Sequence, residues 1–145
     1  MSEVEPVVGV LVGCGDAKRD EPAGARDLYT SNYFDLKRRY AETHGDLWRV
    51  VSAEHGLLSP DERIAPYDTT LDDMSLRERY DWLNSVACDL HDLHLDENVD
   101  RWTVLAGGEY LRTLDRIIST VRITDSYAPT AGMKIGERME WLASE

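Results

Sequence analysis

Only three lysines (Lys18, Lys37 and Lys134) occur in this 145-residue chain, against 13 arginines, 16 aspartates and 12 glutamates, and the formal net charge is −12. So acidic a composition argues against broad electrostatic capture of nucleic acid, which needs a basic stripe that releases counterions from phosphates. It leaves room for a small basic cleft. A surplus of aspartate with so little lysine is expected of a protein adapted to high salt, where screening shortens the reach of self-repulsion. A haloarchaeal source fits it.

Cysteine is scarce as well. Cys14 and Cys88 allow one intramolecular bridge at most, and neither belongs to a CxxC pair or a zinc-ligand spacing. That excludes a disulfide framework and favours a reducing compartment. No apolar run approaches the roughly 20 residues of a membrane span. The opening "MSEVEP" is acidic and lacks the charged and apolar regions of a signal peptide. The expectation is a cytoplasmic protein that makes no membrane contact, its residues 1–145 forming one domain.

What is present reads as alternating strands and helices. "PVVGVLVGCG" is a short apolar run ending in glycines, the habit of a strand buried on both faces, over residues 7–13. Helical spacing follows from Ser31 to His44, with Tyr33, Leu36 and Tyr40 on one face, joined by Phe34 and Ala41, and with Gly45 as a stop. A second strand covers 47–53. Ser75 and Glu78 then form a capping box for a long amphipathic helix with Leu76, Tyr80, Leu83, Ala87 and Leu90 on its inner face. "RWTVLAGG" makes a third strand, followed by a helix through Tyr110, Leu114 and Ile118, a short strand near Val121–Ile123, and a final helix with Ile135, Met139 and Leu142 inward. This order predicts a three-layer α/β domain whose short, mainly parallel sheet is flanked by helices and joined by crossovers, since hairpins cannot connect parallel strands.

The three strand exits are "GCGDAK", "SAEHG" and "AGGEY". Ligands of open α/β sheets bind outside the carboxyl ends of the strands, so a site is expected there. The first exit matches neither a Walker loop nor a dinucleotide fingerprint, because Pro22 and many other residues separate Gly15 from the first helix. Gly13 and Gly15 still let the backbone turn sharply and offer N–H groups to an anion; the plainer alternative is a tight turn without a ligand. Cys14 between them is a candidate nucleophile with Lys18 nearby, or simply a small buried residue at a strand end. Lys18 is a candidate anion ligand.

His55 is the best general acid or base, as the one histidine at a strand exit, with Glu54 or Asp68 to orient it. Its bland role is to shape the loop, and Asp68 equally suits a turn cap. Ser52, Tyr67, Gly107 and Tyr110 complete the ligand-binding candidates, and Glu109 and Tyr110 follow the paired glycines. The residue 50–71 connection is itself suggestive, because structureless connections longer than about 12–15 residues are usually functional or disordered. His91 and His94 lack an obvious third ligand, so no metal is expected and no cofactor is implied.

Five pieces taken in order resemble a family of small uncharacterised domains that look like distant, shortened relatives of the peroxide-stress protein YaaA. They are Cys14-Gly15 with Lys18; Asp27-Leu28-Tyr29 with Ser31; Ser52-Ala53 with His55-Gly56-Leu57; Pro66-Tyr67-Asp68; and Gly107-Gly108 with Tyr110. YaaA is associated with DNA binding and protection during oxidative stress, which the resemblance extends to this chain as an expectation, while the small relatives have no settled activity. The chain departs from it in length, in acidity and in having no visible helix-hairpin-helix.

The leading expectation is a cleft that binds a nucleotide or a nucleobase in nucleic acid and acts on N-glycosidic bonds, as a glycosylase-type hydrolase or transferase. His55 would help the departing base, Asp68 or Glu54 would stabilise a cationic sugar, and Lys18 with the Gly13–Gly15 turn would hold phosphate. The alternatives are a non-catalytic module that binds nucleic acid or nucleotide, and a partner-binding protein without chemistry.

Overall fold

The structure is a computed structural model, and it describes residues 5–145. Residues 1–4, the start of the acidic "MSEVEP" stretch, lie outside the described residues.

Three apolar runs form the centre of the sheet: β1 (Val8–Gly13), β3 (Leu47–Ser52) and β6 (Arg101–Leu105). β1 is flanked by parallel β3 on one side and parallel β6 on the other. Outside β6 lies β7 (Ser126–Tyr127), also parallel, and outside β3 lies β4 (Gly56–Leu58), antiparallel. The five-stranded order is therefore β4-β3-β1-β6-β7. A separate two-stranded ladder joins β2 (Ala23–Gly24) to β5 (Arg63–Ile64).

Alternation along the strands sorts side chains into two cores. Val10, Val12, Val50 and Leu105 face the helices α1 (Ala25–Leu28), α2 (Asn32–His44) and α5 (Ile135–Ser144). Leu11, Val51, Trp102 and Val104 face α3 (Leu76–Asp96) and α4 (Gly108–Thr120). Strands buried on both faces must read as continuous apolar runs, which is why their sequences lack an amphipathic alternation. Ser31 caps α2 by accepting from Phe34 N–H at 3.1 Å, and Ser75 caps α3 by accepting from Glu78 N–H at 3.1 Å. Among the described residues no helix is long and apolar enough to cross a membrane.

Several expectations change. The second exit is the turn of a β-hairpin, since Gly56 at φ 73° lets β4 fold back on β3. The residue 50–71 connection is accordingly not structureless: it holds β4, β5 and a 3₁₀ turn (Leu71–Asp73). The short strand is β7 rather than Val121–Ile123. There Val121 ends α4, Arg122 takes a left-handed φ of 59°, and Ile123 plugs the core.

Leu76 and Tyr80 are exposed, and the buried stripe of α3 is Trp82, Val86 and Leu90. Trp82 donates its indole N–H to Ser52 O at 3.0 Å, at the very end of β3, so the helix before it overhangs the strand tips. Ile135 is exposed too, while Leu142 is buried in the last turn of α5. The buried positions of α2 are Phe34, Lys37 and Ala41, so a lysine occupies the middle of an apolar stripe.

Candidate functional site

The chain leaves β1 toward α2 on one face and leaves β6 toward α4 on the other. Adjacent strands with diverging exits open a crevice, the switch point where doubly wound sheets hold ligands. A cavity of about 370 Å³ lies there, lined by Gly13, Cys14, Gly15 and Asp16 from the β1 exit, Gly107 and Tyr110 from the β6 exit, and Ser31, Tyr33 and Lys37 from α2 and its cap. A second cavity of about 360 Å³ is lined by Asp16, Lys18, Arg19, Asp20, Pro66, Tyr67 and Asp68. Asp16 is common to both.

Glycines make room in the first cavity. A Cβ on Gly13 would stand 3.1 Å from that of Ala106, so the β1 and β6 exits pack closely only without one. A Cβ on Gly107 would collide with the guanidinium of Arg138 from α5, and Gly108 starts α4 at φ 47°. The Gly13–Gly15 turn offers fewer free N–H groups than expected, because Cys14 N–H already donates to Val51 O at 3.1 Å. Gly13 O accepts from Lys37 Nζ at 2.7 Å.

Lys37 is 2% exposed. Its ammonium also lies 4.2 Å from the centre of the Tyr33 ring, a cation–π distance. Burial pulls its pKa down to about 8, the Cys14 side chain opposing that shift and Arg138 adding to it. No ion pair reaches Lys37 or Arg138 among the described residues. Tyr33 Oη and Arg138 Nε are buried without hydrogen-bond partners. Burial raises the Tyr33 pKa against the pull of the Arg138 charge. The Cys14 thiol donates to Tyr110 Oη at 3.4 Å, and burial pushes the Tyr110 phenol up.

Around the second cavity a chain of hydroxyls joins loop to sheet. Ser52 Oγ donates to Tyr67 Oη at 2.6 Å, and Tyr67 Oη meets Tyr29 Oη at 2.6 Å. Burial raises both phenols, Tyr29 to about 12. Lys18 Nζ donates to Asp16 O at 3.1 Å and lies 4.3 Å from the centre of the Tyr67 ring. His55 is exposed, its ring meeting that of Tyr67 edge-on at 5.4 Å, and its N–H donates to Ser52 Oγ at 3.1 Å. Glu54 accepts from the Thr69 hydroxyl. Among the described residues no hydrogen bond or ion pair joins the His55 imidazole to Glu54 or Asp68.

The structure thus brings Gly13, Cys14, Gly15, Gly107 and Tyr110 together in one cavity and Lys18, Tyr67 and Asp68 in its neighbour, with Ser52 tied to Tyr67 between β3 and the loop. His55 and Glu54 line neither. Lys37, Arg138, Tyr33 and Asp16 are not among the candidate residues that the sequence suggests, although the structure places them here. The one legible signal among them was a lysine at i+3 from Phe34 and i−4 from Ala41, a charge set in an apolar stripe. A further cavity carries Arg19, Arg26 and Arg38, but Arg26 and Arg38 are already paired with Asp61, Glu42, Asp27 and Asp35.

Residues 10–144 match DUF6884, a family of unknown function. The chain belongs to that family. A 67-residue stretch is 42% identical to the uncharacterized protein YfjM of Bacillus subtilis (strain 168), a match covering 41% of this chain and 45% of that protein. The chain therefore spans less than half the length of the curated relative it matches. No solved structure matches it. Among the described residues of this DUF6884 chain, no group of three His, Cys, Asp or Glu side chains is arranged to hold a metal. His94 is occupied otherwise, its Nδ1 accepting from Trp102 Nε1 at 3.1 Å.

Proposed function

We propose that the chain binds a nucleotide, or a nucleobase within nucleic acid, across the two cavities at the strand tips and acts on its N-glycosidic bond. The observation that carries this reading is Asp16, a carboxylate at the join of a chamber walled by Tyr67 and Lys18 and a chamber at the switch point. In base release the C1′–N bond breaks with its electron pair on the base, and water adds to C1′, giving its proton to a base. Positive charge grows on the sugar and negative charge on the base. Asp16 and Asp68 face the first need and Lys18 the second, while the Tyr67 ring gives a base a stacking face.

In this reading His55 positions Tyr67 and Glu54 braces Thr69. Kinship with the YaaA proteins, and a role in nucleic-acid repair or stress, belong to the same proposal. Its support is that Cys14, Lys18, Tyr29, Ser52, Tyr67 and Tyr110, all from the shared motifs, gather at one edge of the sheet. A non-catalytic nucleotide-binding module is the second reading, favoured by an exposed His55 imidazole with no carboxylate to orient it.

The test incubates the protein at high salt with nucleosides, nucleoside monophosphates and oligonucleotides, and follows free base by chromatography. Asp16→Asn and Asp68→Asn are expected to slow release by about 10²-fold or more, the scale of general acid–base and charge stabilisation. Release at the wild-type rate in both variants removes these roles. Saturable binding without release leaves the non-catalytic module, and absence of binding overturns both readings.

A further inference from the structure

Two cations, Lys37 and Arg138, meet at the switch point, and among the described residues no carboxylate pairs with either. Lys37 is almost wholly buried, and of its three N–H donors one goes to Gly13 O. The guanidinium of Arg138 occupies the space that Gly107 leaves by having no side chain, with Nε buried and unpartnered. Tyr33 Oη is a third buried group without a partner, on the same cavity. Buried charges are ordinarily paired, and buried polar atoms hydrogen-bonded, because desolvation otherwise costs several kcal/mol. In a chain with 28 acidic residues and a net charge of −12, a buried lysine beside a half-buried arginine, with no ion pair to either among the described residues, is the opposite of what composition favours.

We propose that Lys37, Arg138 and the Tyr33 hydroxyl form an oxyanion subsite that takes a phosphate group, free or esterified, in the crevice between β1 and β6. The inference rests on the nucleotide reading above and sharpens it, moving the phosphate from Lys18 to Lys37. A phosphate supplies acceptors for the spare Lys37 donors, for Arg138 and for Tyr33, and it neutralises their charge. Gly13, Gly15 and Gly107 keep the approach open. The more arginine-rich cavity is the weaker candidate, since Arg26 and Arg38 already carry carboxylates. Asp16 is the one carboxylate on the Lys37 cavity, and it is exposed at the side shared with the second cavity, where a sugar bonded to the phosphate would lie.

Calorimetric titrations at one fixed ionic strength compare inorganic phosphate, a nucleoside monophosphate and the matching nucleoside. The wild type is expected to bind the monophosphate about 10- to 100-fold more tightly than the nucleoside, the scale of one or two charge-assisted hydrogen bonds. Lys37→Met is expected to bring the two ligands within about threefold, and Tyr33→Phe to narrow the gap while leaving the fold intact. In the wild type, amide NMR shifts on phosphate addition should centre on Gly13, Gly15 and Gly107, a readout that needs no variant. Phosphate binding that depends on Lys37, without nucleotide binding, upholds the subsite and removes the nucleotide reading. Equal affinity for nucleoside and monophosphate in the wild type does the reverse. A folded Lys37→Met with undiminished preference for the monophosphate, or no phosphate response from those glycines, overturns the subsite.

Discussion

Ser52 Oγ donates to Tyr67 Oη at 2.6 Å across 15 residues of chain, and so pins the middle of the loop to the tip of β3. The same oxygen accepts from His55 N–H at 3.1 Å and so shapes the hairpin turn as well. One serine sets both the turn and the wall of the second cavity. Its carbonyl, bonded to Trp82, fixes where α3 crosses the strand end.

Tyr67→Phe keeps the ring and removes the hydroxyl that Ser52 and Tyr29 share. Leaving two partly buried hydroxyls short of a partner is expected to cost about 1–3 kcal/mol in urea denaturation. Tyr127→Phe, at an exposed position, serves as the control and should change stability by less than about 0.5 kcal/mol. A Tyr67→Phe midpoint equal to that of the control would show that the hydroxyl chain does not hold the loop.

Lys37 and the buried tyrosines pull the pH dependence of stability in opposite directions. Burial lowers the Lys37 pKa from 10.5 to about 8, among Cys14, Asp16, Tyr33, Tyr110 and Arg138. Between those values the unfolded chain holds the extra proton, so this lysine makes stability rise with pH. Tyr29 has the reverse sign: its pKa is raised from 10.0 to about 12, so the folded chain keeps a proton that the unfolded chain loses, and stability falls as pH climbs through that window. The lysine contribution is therefore unopposed by Tyr29 only from about pH 8 to 10. Urea midpoints of the wild type and Lys37→Met, measured from pH 7.5 to 11, should diverge over this interval, with the rise missing from the variant. Parallel curves would mean that burial does not lower the Lys37 pKa in the folded protein.

Gly9 lies against the indole of Trp102, and a Cβ there would stand 2.5 Å from a ring carbon. Gly9→Ala is expected to cost about 1–3 kcal/mol by overpacking. Trp102→Ala, which empties the largest fully buried side chain, should cost about 3–5 kcal/mol. Once the ring is gone the alanine has room, so thermal melts of the double variant should show less than the sum of the two losses. Strict additivity would argue against the contact.

Much of the fold was legible. Valine-rich runs identified β1 and β3, the capping box at Ser75 identified the start of α3, and the glycine-bearing exits pointed to the strand tips. The antiparallel β4 was missed because its three residues carry too little pattern to stand apart from the loop, and only Gly56 hinted at the reversal. Leu76 and Tyr80 were misread because helical spacing reveals an apolar stripe but not how far the helix overhangs the sheet. His55 stood out by residue type, yet its ring rests on Tyr67 and lines neither cavity.

From its sequence alone the chain determines an α/β domain, an acidic surface and a polar edge at the ends of its strands, because periodicity and composition act locally. Tertiary structure decided which groups meet there. Sheet order opened the crevice between β1 and β6, α2 turned Lys37 into it, and α5 brought Arg138 into the space left by Gly107. No local pattern encodes such a meeting, since it depends on how distant segments pack. Which groups the candidate site holds is therefore set by crossovers and close backbone approach as much as by residue type.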